Sequence, residues 1–235
     1  MRSCLIQLLI MVAVVFCLVW FGLPFGVSAL ATAALNATGF SGTDTKVEVS
    51  ANPPFMLLTG HADTIRIRSS DAGMGNLHAA GVDVTLGSVE LLSRNIGTVT
   101  GTLDGVRVAA PNGDPVPIDR VTLAGSATAT TATATLTIAE AEALAESQLK
   151  AQTGIVAKVT LKAPDLVTVT IGGKAQAGRL VTSNGALLLV PAGDTLSTVT
   201  LIAPGTANPL RVTSVTIGVA DVTLVGTINI QNLLS

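Results

Sequence analysis

The sequence predicts an α+β protein: a long, curved antiparallel sheet wrapped around one main helix, preceded by an N-terminal hydrophobic signal or anchor helix. Three observations predict it. Apolar and polar residues alternate with period two in short runs from Lys46 to Ile230, separated by Gly, Pro and Asn. Beyond the leader only Thr137 to Gly154 carries the periodicity of a long helix. The composition is 49% apolar, 12% charged and 3% aromatic, so a sizeable core must be built from Val, Leu, Ile, Ala and Thr. The β-branched members of that set favour strands.

Residues 1–39 form a separate unit. Met1-Arg2-Ser3 is a short positive start, and Cys4 to Leu23 is an apolar run interrupted by Gln7. Such a run is long enough to span a bilayer as a helix. Val27-Ser28-Ala29 and Ala29-Leu30-Ala31 resemble small-residue cleavage sites, so a cut signal peptide and an uncut transmembrane anchor both fit. Either way Arg2 stays in the cytoplasm and the remainder is extracytoplasmic, anchored to the membrane or secreted. Cys4 and Cys17 both lie in this run, which leaves the exported part without disulfide or thiol chemistry. The formal charge of -2, with no basic block, argues against nucleic acid. No linker interrupts residues 40–235, which read as a single β-rich domain.

Within that domain Lys46–Ser50 alternates as a strand. Pro54 to Gly60 reads as one helical turn, Pro first and Gly last. Ala62–Ser69 follows, with Ile65 and Ile67 on one face and Arg66 and Arg68 on the other. Gly73 and Gly75 mark a turn before Gly81–Leu86, whose Val82, Val84 and Leu86 point inward. Asp104-Gly105 between Thr98–Leu103 and Val106–Ala109 is a two-residue hairpin signal. Arg120–Leu136 reads as strand through its Ala/Thr tract, and the doubled Thr130-Thr131 flips the alternation, as a bulge would. After the helix, Ile155–Leu161, Val167–Ile171, Lys174–Ala177, Arg179–Thr182, Ala186–Val190, Leu196–Ile202, Leu210–Ile217 and Val222–Ile230 complete the strands, with turns at Gly172-Gly173 and Asn184-Gly185.

The helix has its own start and stop. Thr137 and Glu140 make a capping box, and Gly154 suits the left-handed C-cap position. Ile138, Ala141, Ala145 and Leu149 share one face, flanked by Leu144, with Glu140, Ser147 and Lys150 opposite. Glu146 and Lys150 are spaced as an i,i+4 ion pair. The apolar face is narrow and half alanine, which leaves room either for close backbone approach of the covering sheet or for something else between the two.

Residues able to do chemistry are scarce. Gly73-Met74-Gly75-Asn76-Leu77-His78 lacks the third glycine and the helix of a dinucleotide fingerprint. No nucleophile elbow, phosphate loop or Cys/His ligand cluster occurs. His61 and His78, beside Asp63 and Asp71, read as surface histidines rather than a metal site. Arg66 and Arg68, on one face of a strand, are candidates for gripping a phosphate head group, against the commoner role of a solvated outer face.

Asn52-Pro53-Pro54-Phe55-Met56-Leu57-Leu58-Thr59-Gly60, followed by Ala62-Asp63-Thr64-Ile65-Arg66-Ile67, resembles the LmeA-like family of bacterial phospholipid-binding proteins. Met56 stands where the family usually has Leu. The strand Val82–Leu86, the strand from Gly125 to Thr137, the helix from Ile138 and the turn Pro191-Ala192-Gly193 follow in the family's order, so the likeness runs from about Val47 to Leu201. The resemblance implies a tubular lipid-binding-like fold in the envelope of a Gram-positive-type bacterium, binding or transferring phospholipid without catalytic residues, metal or a cofactor other than the bound lipid. Its partners would be phospholipid or a membrane surface. The acyl chains would lie in an apolar slot formed by Pro54, Phe55, Met56, Leu57, Leu58, Ile65, Ile67, Val82, Val84, Ile138, Ala141, Leu144, Ala145 and Leu149. The alternative from a different class is a non-catalytic structural or adhesive surface domain with a solid core.

Overall fold

The computed structural model of the chain describes residues 40–74, 77–109, 115–193, 197–203 and 210–231. The expected leader helix lies outside these residues. Among the described residues no helix is long and apolar enough to cross a membrane.

The described chain is mostly β, in two antiparallel sheets with one α-helix. Strands β1 (Ser41–Ser50), β2 (His61–Met74), β3 (Leu77–Glu90), β4 (Asn95–Ala109), β5 (Pro115–Ser126) and β6 (Ala129–Thr137) form a meander. Helix α1 (Ile138–Thr153) follows, then β7 (Lys158–Lys162), β8 (Leu166–Ile171), β9 (Lys174–Ser183), β10 (Ala186–Pro191), β11 (Val199–Ile202), β12 (Arg211–Ile217) and β13 (Asp221–Ile228). The larger sheet has the order β1-β2-β3-β4-β5-β6-β13-β12 and the smaller one β11-β10-β9-β8-β7. The single sheet expected from the sequence is therefore divided. Of the last two strands β13 returns across the chain to pair with β6 and β12 adds to its outer side, leaving β7–β11 as a separate meander.

Three expectations at turns are corrected. Asp104-Gly105 lies inside the continuous strand β4, not in a hairpin. Arg120–Leu136 is two strands, because Ala127-Thr128 makes the β5–β6 turn. With the turn there, Thr130 points inward, its hydroxyl donating to the Ser126 carbonyl (2.8 Å), and β6 alternates without a bulge.

The long strands change face twice instead. In β3 the inward residues are Ala79, then Val82, Val84 and Leu86, then Val89. In β4 they are Ile96, then Val99, Gly101 and Leu103, then Val106. Each series advances by two in the middle and by three at the ends. The three-residue steps align across the sheet, at Asp63, Ser88 and Gly97 in one row and at Asp71, Ala80, Gly105 and Asp119 in the other. Positive φ at Ser88 (51°), Asp71 (52°) and Gly105 (57°) turns the chain over in these rows. Directly opposed residues share a face, so pairing stays in register while every strand bends together.

The helix bridges the smaller sheet. Its capping box forms: Thr137 Oγ1 accepts from Glu140 N–H (3.3 Å), and Glu140 Oε2 accepts from Thr137 N–H (2.8 Å). Gly154 ends it at φ 72°. α1 packs against both edge strands, β7 and β11. Glu146 Oε1 accepts from Val159 N–H (2.9 Å) and Glu142 Oε1 from Leu161 N–H (2.8 Å), which satisfies outward N–H groups of β7. On the other edge the Gln152 amide pairs with both backbone groups of Thr200, its Oε1 accepting from the N–H at 3.2 Å and its Nε2 donating to the carbonyl. Glu146 thus serves β7, where the sequence spacing offered Lys150.

Candidate functional site

Two apolar clusters divide the interior. One joins α1, the smaller sheet and the β6/β13/β12 end of the larger sheet, with Leu136, Leu149, Val159, Val167, Val169, Leu189, Val199, Val212 and Val222 almost fully buried. The other lies at the opposite end of the larger sheet and contains Val47, Val49, Leu57, Ala62, Ile65, Val89, Ile96, Val99 and Ala127.

The expected site residues are split between them. Ala145 and Leu149 are buried in the helix-side cluster, with Ile138 and Ala141 packed against it. Leu57 and Ile65 belong to the other, with Ile67 and Val84 packed against it. The structure thus does not gather the helix and the β2–β3 residues around one slot. Beneath the helix a gap remains, lined by Leu136, Ala141, Leu144, Ala145, Leu161, Leu180, Leu187, Leu201, Val222 and Leu224. Its volume is about 20 Å³, room for one water-sized group. The alanines do leave space, as their size demands, but not enough for a hydrocarbon chain.

The more open apolar surface lies between the clusters, on the inner face of β2–β5. Ile67, Val84, Gly101 and Leu123 are opposed in one row across four strands. Val82, Leu103 and Val121 make the next, continued on β2 by Ser69, and Leu86 adjoins them. The six residues Ile67, Val82, Val84, Leu86, Leu103 and Leu123 are each half-buried. Gly101 interrupts the floor: a Cβ there would collide with the Asp83 carbonyl and lie 2.7 Å from Val84 Cα. This trough runs from beneath the 3-10 turn at Pro54–Thr59 to Val121, where the helix-side cluster begins. At the β1 side Ser69 is buried, with its hydroxyl 2.8 Å from Thr45 Oγ1. Leu86, Leu103 and Leu123 are trough residues that the sequence reading did not select. Only cross-strand register places them together.

The 3-10 turn stands at one end of the trough. In such a turn residues three apart eclipse one another. Pro54 and Leu57 accordingly face the core, and Phe55 and Leu58 face solvent, 54% and 69% exposed. Met56 is half-buried. Gly60 at φ 80° closes the turn and accepts from Leu91 N–H (2.7 Å) at the β3–β4 connection.

Arg66 and Arg68, the head-group candidates, are both ion-paired, with side chains 42% exposed. Both lie on the face opposite Ile65 and Ile67. Arg66 holds Asp83 by two hydrogen bonds of 2.8 and 2.6 Å, and Arg68 reaches Glu48 at 3.4 Å and Asp83 at 3.7 Å. The two cations are balanced by two carboxylates. The hydrogen bond from Arg66 holds the Asp83 carboxyl below the usual carboxylate range, and the same contact raises Arg66. His61 sits 3.3 Å from Asp63 and 3.7 Å from Glu90, and His78 sits 3.0 Å from Asp71. Among the described residues no group of three His, Cys, Asp or Glu side chains is arranged to hold a metal.

Comparison with protein-family models, with curated proteins and with solved structures found no match to this chain.

Proposed function

We propose that this protein is a non-catalytic, extracytoplasmic binder of phospholipid, and that acyl chains lie along the β2–β5 trough rather than beneath the helix. The observation that carries this reading is the set of six half-buried aliphatic residues, Ile67, Val82, Val84, Leu86, Leu103 and Leu123, of which Ile67, Val84, Leu86 and Leu123 adjoin the Leu57/Ile65 cluster while Val121, opposite Leu103, adjoins the helix-side one. Covering such residues with hydrocarbon gains about 25 cal/mol per Å² of apolar area. The resemblance to LmeA-like proteins and the exported position expected from the leader point to envelope phospholipid as the source.

Native mass spectrometry of the full chain, isolated in detergent and then freed of it, tests the proposal. A retained mass of one phospholipid, lost in Val84→Asp, supports it. A second reading is favoured by the gap of only about 20 Å³ beneath α1, namely a structural or adhesive module with a solid interior. Protein that carries no lipid and takes none from added vesicles would favour that reading over ours.

A further inference from the structure

The β3–β4 connection and the 3-10 turn together build a projecting apolar tip. Phe55 and Leu58 are joined there by Leu91 and Leu92, 42% and 85% exposed. Leu92 lies against Gly60, where a Cβ would come within 2.8 Å of its Cγ. These are four of the seven large apolar residues exposed among the described ones, and the Leu91–Gly60 hydrogen bond holds them in one place.

Several backbone groups of this tip are hydrogen-bonded within the fold. Met56 N–H donates to Pro53 (3.1 Å), Gly60 N–H to Leu57 (3.1 Å), and the Thr59 hydroxyl to Met56 (2.8 Å). Gln231 clamps the β3–β4 side, accepting from Ile96 N–H (3.1 Å) and donating to the Arg94 carbonyl (2.7 Å). Hydrocarbon tolerates a polypeptide only where its polar groups are satisfied internally. The hydrogen bonds of the 3-10 turn, the Leu91–Gly60 bond and the Gln231 clamp remove part of that cost at the tip.

We propose that Phe55, Leu58, Leu91 and Leu92 insert into the surface of a lipid bilayer and dock the domain there. The inference deepens the phospholipid reading and rests on it for the lipid source. Asp63 and Glu90 flank His61 at the same end, while Arg94 is exposed on the turn itself, so charge is mixed and insertion is driven by the apolar residues. Binding therefore needs no anionic lipid. The membrane holding the expected leader helix is within reach. Ser41 pairs with Gly73 at the far end of β1, about 33 Å from the tip end. Residues 24–39 can extend at most about 53–58 Å.

The test uses the full chain in phosphatidylcholine nanodiscs. Trp20→Phe removes the native tryptophan, and Phe55→Trp or Val219→Trp places a single reporter. Val219 is 96% exposed on the β12–β13 turn, at the end of the sheet away from the tip. Brominated acyl chains are expected to quench the reporter at 55 at least threefold more than the one at 219. Adding Leu58→Ser and Leu92→Ser should abolish that difference. Equal quenching at both positions overturns the proposal. So does a reporter at 55 shielded from iodide in lipid-free protein, which would mean that a second copy covers the tip. Co-purified lipid with an unquenched tip would sink this inference and leave the trough reading standing. A quenched tip on protein that retains no lipid would do the reverse.

Discussion

Glu142→Ala together with Glu146→Ala should loosen the smaller sheet from its edge. The two carboxylates accept from Leu161 and Val159 N–H at 2.8 and 2.9 Å, in the place of a neighbouring strand. Each partner residue is buried, so the N–H groups cannot simply exchange the carboxylate for water. A hydrogen bond to a charged acceptor contributes about 1.5–3 kcal/mol. Both glutamates are half-exposed, which lowers the figure to about 1–2 kcal/mol each, or about 2–4 kcal/mol for the pair. For a domain of this size each kcal/mol shifts Tm by about 2–4 °C, giving a loss of about 4–16 °C. Circular dichroism melts measure the shift, and hydrogen exchange at the Val159 and Leu161 amides locates it. The double Gln variant retains an uncharged acceptor at each site and should lose less. A double Ala protein that melts within 2 °C of wild type, with both amides still protected, would refute the idea that the helix stands in for a strand.

Other substitutions probe different parts of the structure. Leu149→Ala, at a residue fully buried against the smaller sheet, should cost about 2–5 kcal/mol in urea unfolding. Gly101→Ala would drive a Cβ into the β3 backbone and should cost about 1–3 kcal/mol, measured the same way. Val84→Asp should weaken lipid retention about tenfold or more with an unchanged far-ultraviolet spectrum, because the trough is half-open and its walls are set by backbone pairing. Asp83 has its folded pKa held below the unfolded value near 3.9, so its contribution to stability is full above about pH 4 and fades as pH falls through the folded value. Asp83→Asn should therefore lower stability at pH 7 and flatten the acid limb of a stability–pH profile, and the same substitution in an Arg66→Ala background should change both less.

Local signals in the sequence translated well into local structure. Thr137, Glu140 and Gly154 bounded α1 correctly because a capping box and a left-handed C-cap involve neighbours in the chain. Pro54 and Gly60 bounded the 3-10 turn for the same reason, and Gly172-Gly173 and Asn184-Gly185 made their hairpins. What failed was non-local. β13 pairs with β6 across the whole smaller sheet, and nothing near either strand announces the partner. Asp104-Gly105 carries the chemistry of a tight turn, but the same left-handed glycine also serves a strand changing face. The three-residue steps in β3 and β4 become legible only once the strands are aligned. Arg66 found Asp83 as its diagonal neighbour, while the residue directly opposite Asp83 is Arg68. Gln148 was missed because a narrow apolar face was read for hydrocarbon alone, although the residue is buried beside Gln152 at the β11 edge.

Photocrosslinking with a phospholipid that carries a diazirine midway along one acyl chain tests the central claim most directly. After irradiation of the full chain in vesicles and digestion, the account predicts adducts on peptides from β2, β3 and β4 that contain Ile67, Val82, Val84 or Leu103. Adducts on the Ile138–Thr153 helix with none on those strands would contradict it, and no adduct beyond the leader would remove the acyl-chain site altogether.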